Sequence, residues 1–113
     1  KMDVKATRFN WYRDDKDWKP LHHDAAAVKP HMAKKQNLTV AISFGREREA
    51  VFEHAKNRAT ISTTLPNGTA YVFSKDVNVD WRHGILAVPE NERSNKGRIS
   101  IIAWGKVEMK NKK

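Results

Sequence analysis

The chain has 113 residues, 39% of them hydrophobic, with four prolines and five glycines, a composition that suits one compact domain of modest core. Without a cysteine it can form no disulfide, thiolate metal site or cysteine nucleophile, so any metal must be held by nitrogen and oxygen. A net charge of +9, from 22 Lys and Arg against 13 Asp and Glu, favours anionic partners such as nucleic acid, although much of the excess lies at chain ends and in scattered surface-like positions.

Apolar runs such as ISIIAW at 99–104 are far too short to cross a bilayer, and no cationic segment leads into a hydrophobic one. The chain reads as soluble and intracellular, its compartment open. Short β-branched and aromatic runs recur between turn signals, the pattern of an all-β sandwich or barrel of about eight strands. In chain order they cover 6–13, 18–24, 37–44, 50–54, 59–64, 69–74, 81–86 and 98–104. Residues 25–36, with two prolines, three alanines and a Lys pair, read as a loop or short irregular helix. Pro66-Asn67-Gly68 is a hairpin turn signal, because Asn and Gly tolerate positive φ. Residues 89–97 are a second polar loop, and the lysine-rich tail 106–113 is expected to fray beyond a core of 1–105. Eight strands fit two facing sheets of four, for which a jelly roll, or double-stranded β-helix, is the natural arrangement.

The chemistry concentrates in WKPLHHDAAA at 18–27. On a strand alternate side chains share a face, so His22 and Asp24 point one way and His23 the other. An imidazole and a carboxylate at that spacing can grip one side of a divalent ion. Two His and one carboxylate form the ligand set of non-haem iron, which leaves positions open for substrate and oxygen. The third ligand has three candidates, His31, His54 and His83. His-x-Asp alone is a weak signal, and a polar strand end is its plain alternative. Fifteen positions after His83, Arg98 opens the apolar run of Ile99, Ile101 and Ile102, where a guanidinium beside a buried strand calls for an anionic partner unless it points to water. Trp11, Trp18, Trp81 and Trp104 read as core packing, His31 and His54 as a solvated loop residue and a structural one, and Asp14-Asp15 and Glu90-Glu92 carry no acid–base role.

Taken in order, His22, Asp24, His83 and Arg98 resemble the iron(II)- and 2-oxoglutarate-dependent dioxygenases, which mount these residues on a double-stranded β-helix. Asn10-Trp11-Tyr12 is similar to the upstream Asn-x-Tyr of the AlkB-like branch, as is His83-Gly84-Ile85 to its His-Gly-Ile, and Arg98-Ile99-Ser100 matches an Arg-x-Ser common among these oxygenases. The resemblance spans residues 7–105. It implies iron(II) on His22, Asp24 and His83, with 2-oxoglutarate as cosubstrate and O2 as oxidant. Arg98 is then expected to pair with the distal carboxylate, assisted by the Tyr12 and Ser100 hydroxyls, and Asn10 to donate to the proximal one. The implied reaction oxidises 2-oxoglutarate to succinate and carbon dioxide while hydroxylating a C–H bond. On an N-methyl group the hydroxylated product falls apart to formaldehyde and the demethylated nitrogen of the substrate.

Oxidative dealkylation of DNA or RNA is the activity the resemblance favours. A protein or small-molecule hydroxylase or demethylase of the same superfamily, or a noncatalytic binding module, is the alternative. Two departures stand out. Six positions after Arg98, where the AlkB-like branch carries a second arginine, this chain has Trp104. The chain also begins almost at the Asn-x-Tyr strand, upstream of which the family places substrate-gripping elements, so it is expected to be an excerpt of a larger protein.

Overall fold

A computed structural model describes residues 1–108, and its framework is eight antiparallel strands in two sheets of four. They are β1 (Met2–Tyr12), β2 (Lys19–His22), β3 (Leu38–Gly45), β4 (Arg48–His54), β5 (Thr60–Leu65), β6 (Ala70–Ser74), β7 (Trp81–Ile85) and β8 (Arg98–Val107). One sheet has the order β1-β8-β3-β6 and the other β2-β7-β4-β5. The jelly roll expected from eight short alternating runs is thus the observed fold. Three short α-helices lie between the described strands: α1 (Ala25–Val28) and α2 (Pro30–Ala33) are single turns after β2, and α3 (Lys75–Asp80) leads into β7. Among the described residues no helix is long and apolar enough to cross a membrane.

The Pro66-Asn67-Gly68 segment does turn, with Gly68 at φ +82°, but it is not a hairpin. It carries the chain from β5 in one sheet to β6 in the other, and among the described residues the only strand neighbours joined directly in sequence are β4 and β5. Turn chemistry fixes the local reversal; the inward faces of the flanking strands decide which sheet each joins. β8 runs to Val107, with Lys106 and Val107 paired to Asp3 and Met2, two residues past the expected end of the core. The rest of the expected tail from 109 onward lies outside the described residues.

Strand alternation sorts the interior. On β8 the even residues face inward, burying Arg98 and Ser100, and on β3 the odd residues Thr39, Ala41 and Ser43 do. On β1 the inward side is again even, with Asn10 half-buried and Tyr12 buried, so Trp11 faces out at 66% exposure. That corrects the reading of Trp11 as core; Trp18, in the loop before β2, is also exposed. Phe9, Phe44, Val72 and Ile101 share with Trp11 the outward side of the first sheet. Tyr12, Ala50, Leu65 and Ile85 form the small apolar core, with Tyr71 packed against it. The buried polar residues Arg48, Arg98, Thr39, Ser43 and Ser100 take up much of the remaining interior. Space between the sheets is therefore given to a polar-lined cavity rather than to packing.

Candidate active site

β2 and β7 pair so that His22 stands directly opposite His83, their ring centroids 4.3 Å apart. Two features make this possible. The register shifts between Lys19 and His22, a bulge that re-aims the end of β2. Gly84, next to His83, admits the β2 backbone so closely that a Cβ there would lie 2.6 Å from the Lys19 carbonyl oxygen. Behind His83, Phe52 stacks on the imidazole at 5.8 Å and Phe73 tilts against it at 5.1 Å, fixing the ring.

Asp24 reaches the same point by another route. It lies beyond the end of β2, at the start of α1, with extended backbone. Its N–H donates to Asn78 Oδ1 at 2.9 Å, and the neighbouring His23 donates from Nδ1 to the Asn78 carbonyl at 2.7 Å. Asn78, buried on α3, therefore clamps the segment, holding His23 away while Asp24 turns inward. Ligand atoms of His22, Asp24 and His83 all lie within 4.8 Å of one another. Asp24 Oδ1 is 3.5 Å from His22 Nε2 and 3.3 Å from His83 Nε2, and Oδ2 accepts a hydrogen bond from Trp104 Nε1 at 3.0 Å.

The donor set fits a divalent cation. His22 Nδ1 is 2.9 Å from the Pro20 carbonyl oxygen, which can only accept, so the ring proton sits on Nδ1. Nε2 is then the ring atom turned to the Asp24 carboxylate, so that two imidazole nitrogens and one carboxylate oxygen converge on one point, the donor set of a divalent ion. Burial alone would raise the Asp24 carboxyl; hydrogen bonds from His22, His83 and Trp104 and the charge on His83 outweigh it and hold its pKa well below the ordinary carboxylate range. Of the other two candidates for the third ligand, His31 is exposed on α2. His54 packs edge-on against Trp81 at 5.1 Å and accepts backbone N–H bonds from Lys56 and Asn57.

His22, Asp24 and His83 line a cavity of about 400 Å³ that also takes in Asn10, Tyr12, Arg98 and Ser100. β1 and β8 set these last four in two facing rows, Asn10 opposite Ser100 and Tyr12 opposite Arg98. Arg98 is 2% exposed, yet its Nε and Nη1 have no hydrogen-bond partner. Its Nη2 donates to Ser43 Oγ at 2.7 Å and its guanidinium lies 4.9 Å from the centre of the Tyr12 ring. Ser43 thus holds the guanidinium from β3, and Tyr12 and Ser100, whose hydroxyls were expected to assist Arg98 at the distal carboxylate, line the same cavity. Donor nitrogens with nowhere to donate, on a cation buried in a cavity, fit the carboxylate of a small anion.

Three contributors had no signal in the sequence: Ser43 and Asn78, described above, and Tyr71 on β6, which lines the cavity. Burial pushes the Tyr71 hydroxyl up to about 12, with Arg98 opposing and Asp24 adding to the rise, so it is a neutral donor at physiological pH.

Two facing four-stranded sheets enclosing a His-Asp-His cluster and a buried arginine define the architecture of a metal-dependent oxygenase. The chain belongs to the 2OG-Fe(II) oxygenase superfamily, whose family model matches residues 1–103. It is similar in fold to the solved structure of OsALKBH1, with a TM-score of 0.67 and 18% identity over 92% of this chain. It spans about half, 49%, of that chain. No curated protein sequence matches it significantly.

Proposed function

We propose that the chain carries the catalytic core of an iron(II)- and 2-oxoglutarate-dependent dioxygenase that removes alkyl groups from nucleic acid by oxidation. The observation that carries this reading is the single cavity lined both by the His22, Asp24 and His83 cluster and by the Arg98 guanidinium with its two unpartnered nitrogens. Iron(II), held by His22, Asp24 and His83, would supply the activation of O2 coupled to decarboxylation of 2-oxoglutarate.

This chain's own residues do the positioning. Arg98 donates from its unpaired edge to the distal carboxylate of 2-oxoglutarate, while Ser43 and the Tyr12 ring hold the guanidinium in place. Asn10 and Ser100, paired across β1 and β8, and the protonated Tyr71 hydroxyl offer further hydrogen bonds along the cavity wall. Lysine and arginine at the rim, Lys19 and Arg8, line the same cavity and add to the +9 charge that favours a polyanion. The Asn10-Trp11-Tyr12 and His83-Gly84-Ile85 motifs favour the AlkB-like branch.

The test is succinate and formaldehyde release with iron(II), 2-oxoglutarate and an N-methylated oligonucleotide. Release that requires the methylated strand and falls steeply with salt supports the reading. Release stimulated only by methylated peptides would contradict the nucleic-acid assignment while leaving the dioxygenase in place.

A further inference from the structure

We infer that Trp104 is a positioning residue for the metal site: its indole N–H takes Asp24 Oδ2 and leaves Oδ1 alone turned toward His22 and His83. This rests on the metal reading above and assigns a role to the residue that stands where a second arginine was expected. The two oxygens of Asp24 have divided surroundings. Oδ2 accepts from Trp104 Nε1 at 3.0 Å, whereas Oδ1 lies 3.3 Å and 3.5 Å from the two imidazole Nε2 atoms.

Asp24 needs such a hold. It sits off the end of β2, and at the start of α1 its side chain makes no capping hydrogen bond, so its own segment fixes its backbone through Asn78 but not its carboxylate. Trp104 is well placed to supply the missing constraint. It lies in a strand with a partner on each side, opposite Ala6 of β1 and Thr39 of β3, and it shares the inward face of β8 with Arg98, Ser100 and Ile102. A central strand fixes the Cα, and a large planar side chain has few rotamers to lose.

The choice of an indole has a chemical consequence. It is neutral and donates one hydrogen bond, so it occupies one oxygen and leaves the full negative charge on the carboxylate. A guanidinium in the same place could bridge both oxygens in a fork and would compete with a cation for Oδ1. Trp104 therefore favours attachment of Asp24 to the ion through one oxygen. Arg98 is left as the only cation on the inward side of β8 among Arg98, Ser100, Ile102 and Trp104.

Calorimetric titration of the chain with Co(II) alone tests this without turnover. Trp104→Phe keeps a ring and removes the donor, and the expected loss is about 10- to 100-fold in Co(II) affinity, the range for removal of a group that orients a ligand. In an Asp24→Ala background the same change should add no further loss. The indole Nε1–H resonance of Trp104, followed by ¹⁵N NMR in the chain with Trp104 intact, should shift and exchange faster with solvent in Asp24→Ala, which keeps the test open even where Trp104→Phe does not fold. Co(II) affinity in Trp104→Phe within about twofold of wild type, or an indole resonance indifferent to Asp24, overturns the inference. A wild-type chain that takes no Co(II) overturns the metal reading and this inference with it; tight binding by wild type and Trp104→Phe alike removes only the latter.

Discussion

Arg98 is buried with two donors unpaired, and an unpaired buried guanidinium destabilises a fold unless something else is gained. Replacing it by an apolar side chain of similar length should therefore leave the ligand-free chain intact. Arg98→Met is expected to change unfolding free energy by no more than about 1 kcal/mol, or to raise it, and to abolish the rise in melting temperature that 2-oxoglutarate gives in the presence of metal. A loss of about 3–5 kcal/mol in thermal or urea unfolding would mean that the arginine serves the fold instead. His22, Asp24, His83 and Arg98 were legible in the sequence because each is a residue type that makes a demand on its surroundings. Ser43 was not. A serine on an alternating strand demands nothing until β3 is laid beside β8, bringing it to an arginine 55 residues away. Tyr71 was hidden for the same reason, and Trp104 read only as core packing and as a departure from the second arginine.

Among the elements, the β2–β7 pair does most to assemble the site, and Gly84 is its narrowest point. A Cβ at Gly84 would meet backbone atoms of Lys19 and Pro20, which cannot swing aside as a side chain would. Gly84→Ala should push β2 outward and separate His22 from His83; the expected result is a destabilisation of about 1–3 kcal/mol and at least tenfold weaker metal binding by calorimetry. Unchanged metal affinity would show that the bulge, not the close approach, sets the position of His22. All eight strands could be read from β-branched and aromatic runs between turn signals, even β5, in which only Leu65 is buried. Their partners could not be read, since pairings such as β1 with β8 join the two ends of the chain. Asp24 illustrates the limit. Strand periodicity put it on the face of His22, and it does arrive there, but from beyond the strand end through Asn78.

Across the whole molecule, loops at the far side of the sandwich are tied by Asp15, which is fully buried, ion-paired with Arg46 at 3.2 Å and hydrogen-bonded by the Ser94 N–H and hydroxyl. Burial would raise its carboxyl, but Ser94 and Arg46 outweigh it and lower the pKa; Asp17, hydrogen-bonded by Arg13, is lowered to about 2. Both folded values lie below the unfolded value of about 3.9, so their stabilisation is fully present above that pH and is lost as pH falls through the folded values. The melting temperature should hold steady from neutrality to about pH 5 and fall below about pH 4, with a shallower acid fall in Asp15→Asn. An acid limb unaffected by that substitution would contradict the role of Asp15.

At the alkaline end the sign reverses. Tyr12 and Tyr71, the only two tyrosines, have raised values, the latter about 12, so the stability they confer is present below the unfolded value of about 10 and lost as pH rises beyond it. Phenolate absorbance should stay low past pH 10 and appear together with unfolding.

The central claim is that one cavity holds the metal and the cosubstrate together. Titration of 2-oxoglutarate by calorimetry, with and without Mn(II) as a redox-stable stand-in for iron(II), tests it most directly. One equivalent should bind tightly with Mn(II) present, about 10-fold or more weaker without it, and the enhancement should vanish in His83→Ala. Binding of 2-oxoglutarate that ignores Mn(II), or enhancement that survives His83→Ala, would contradict the account.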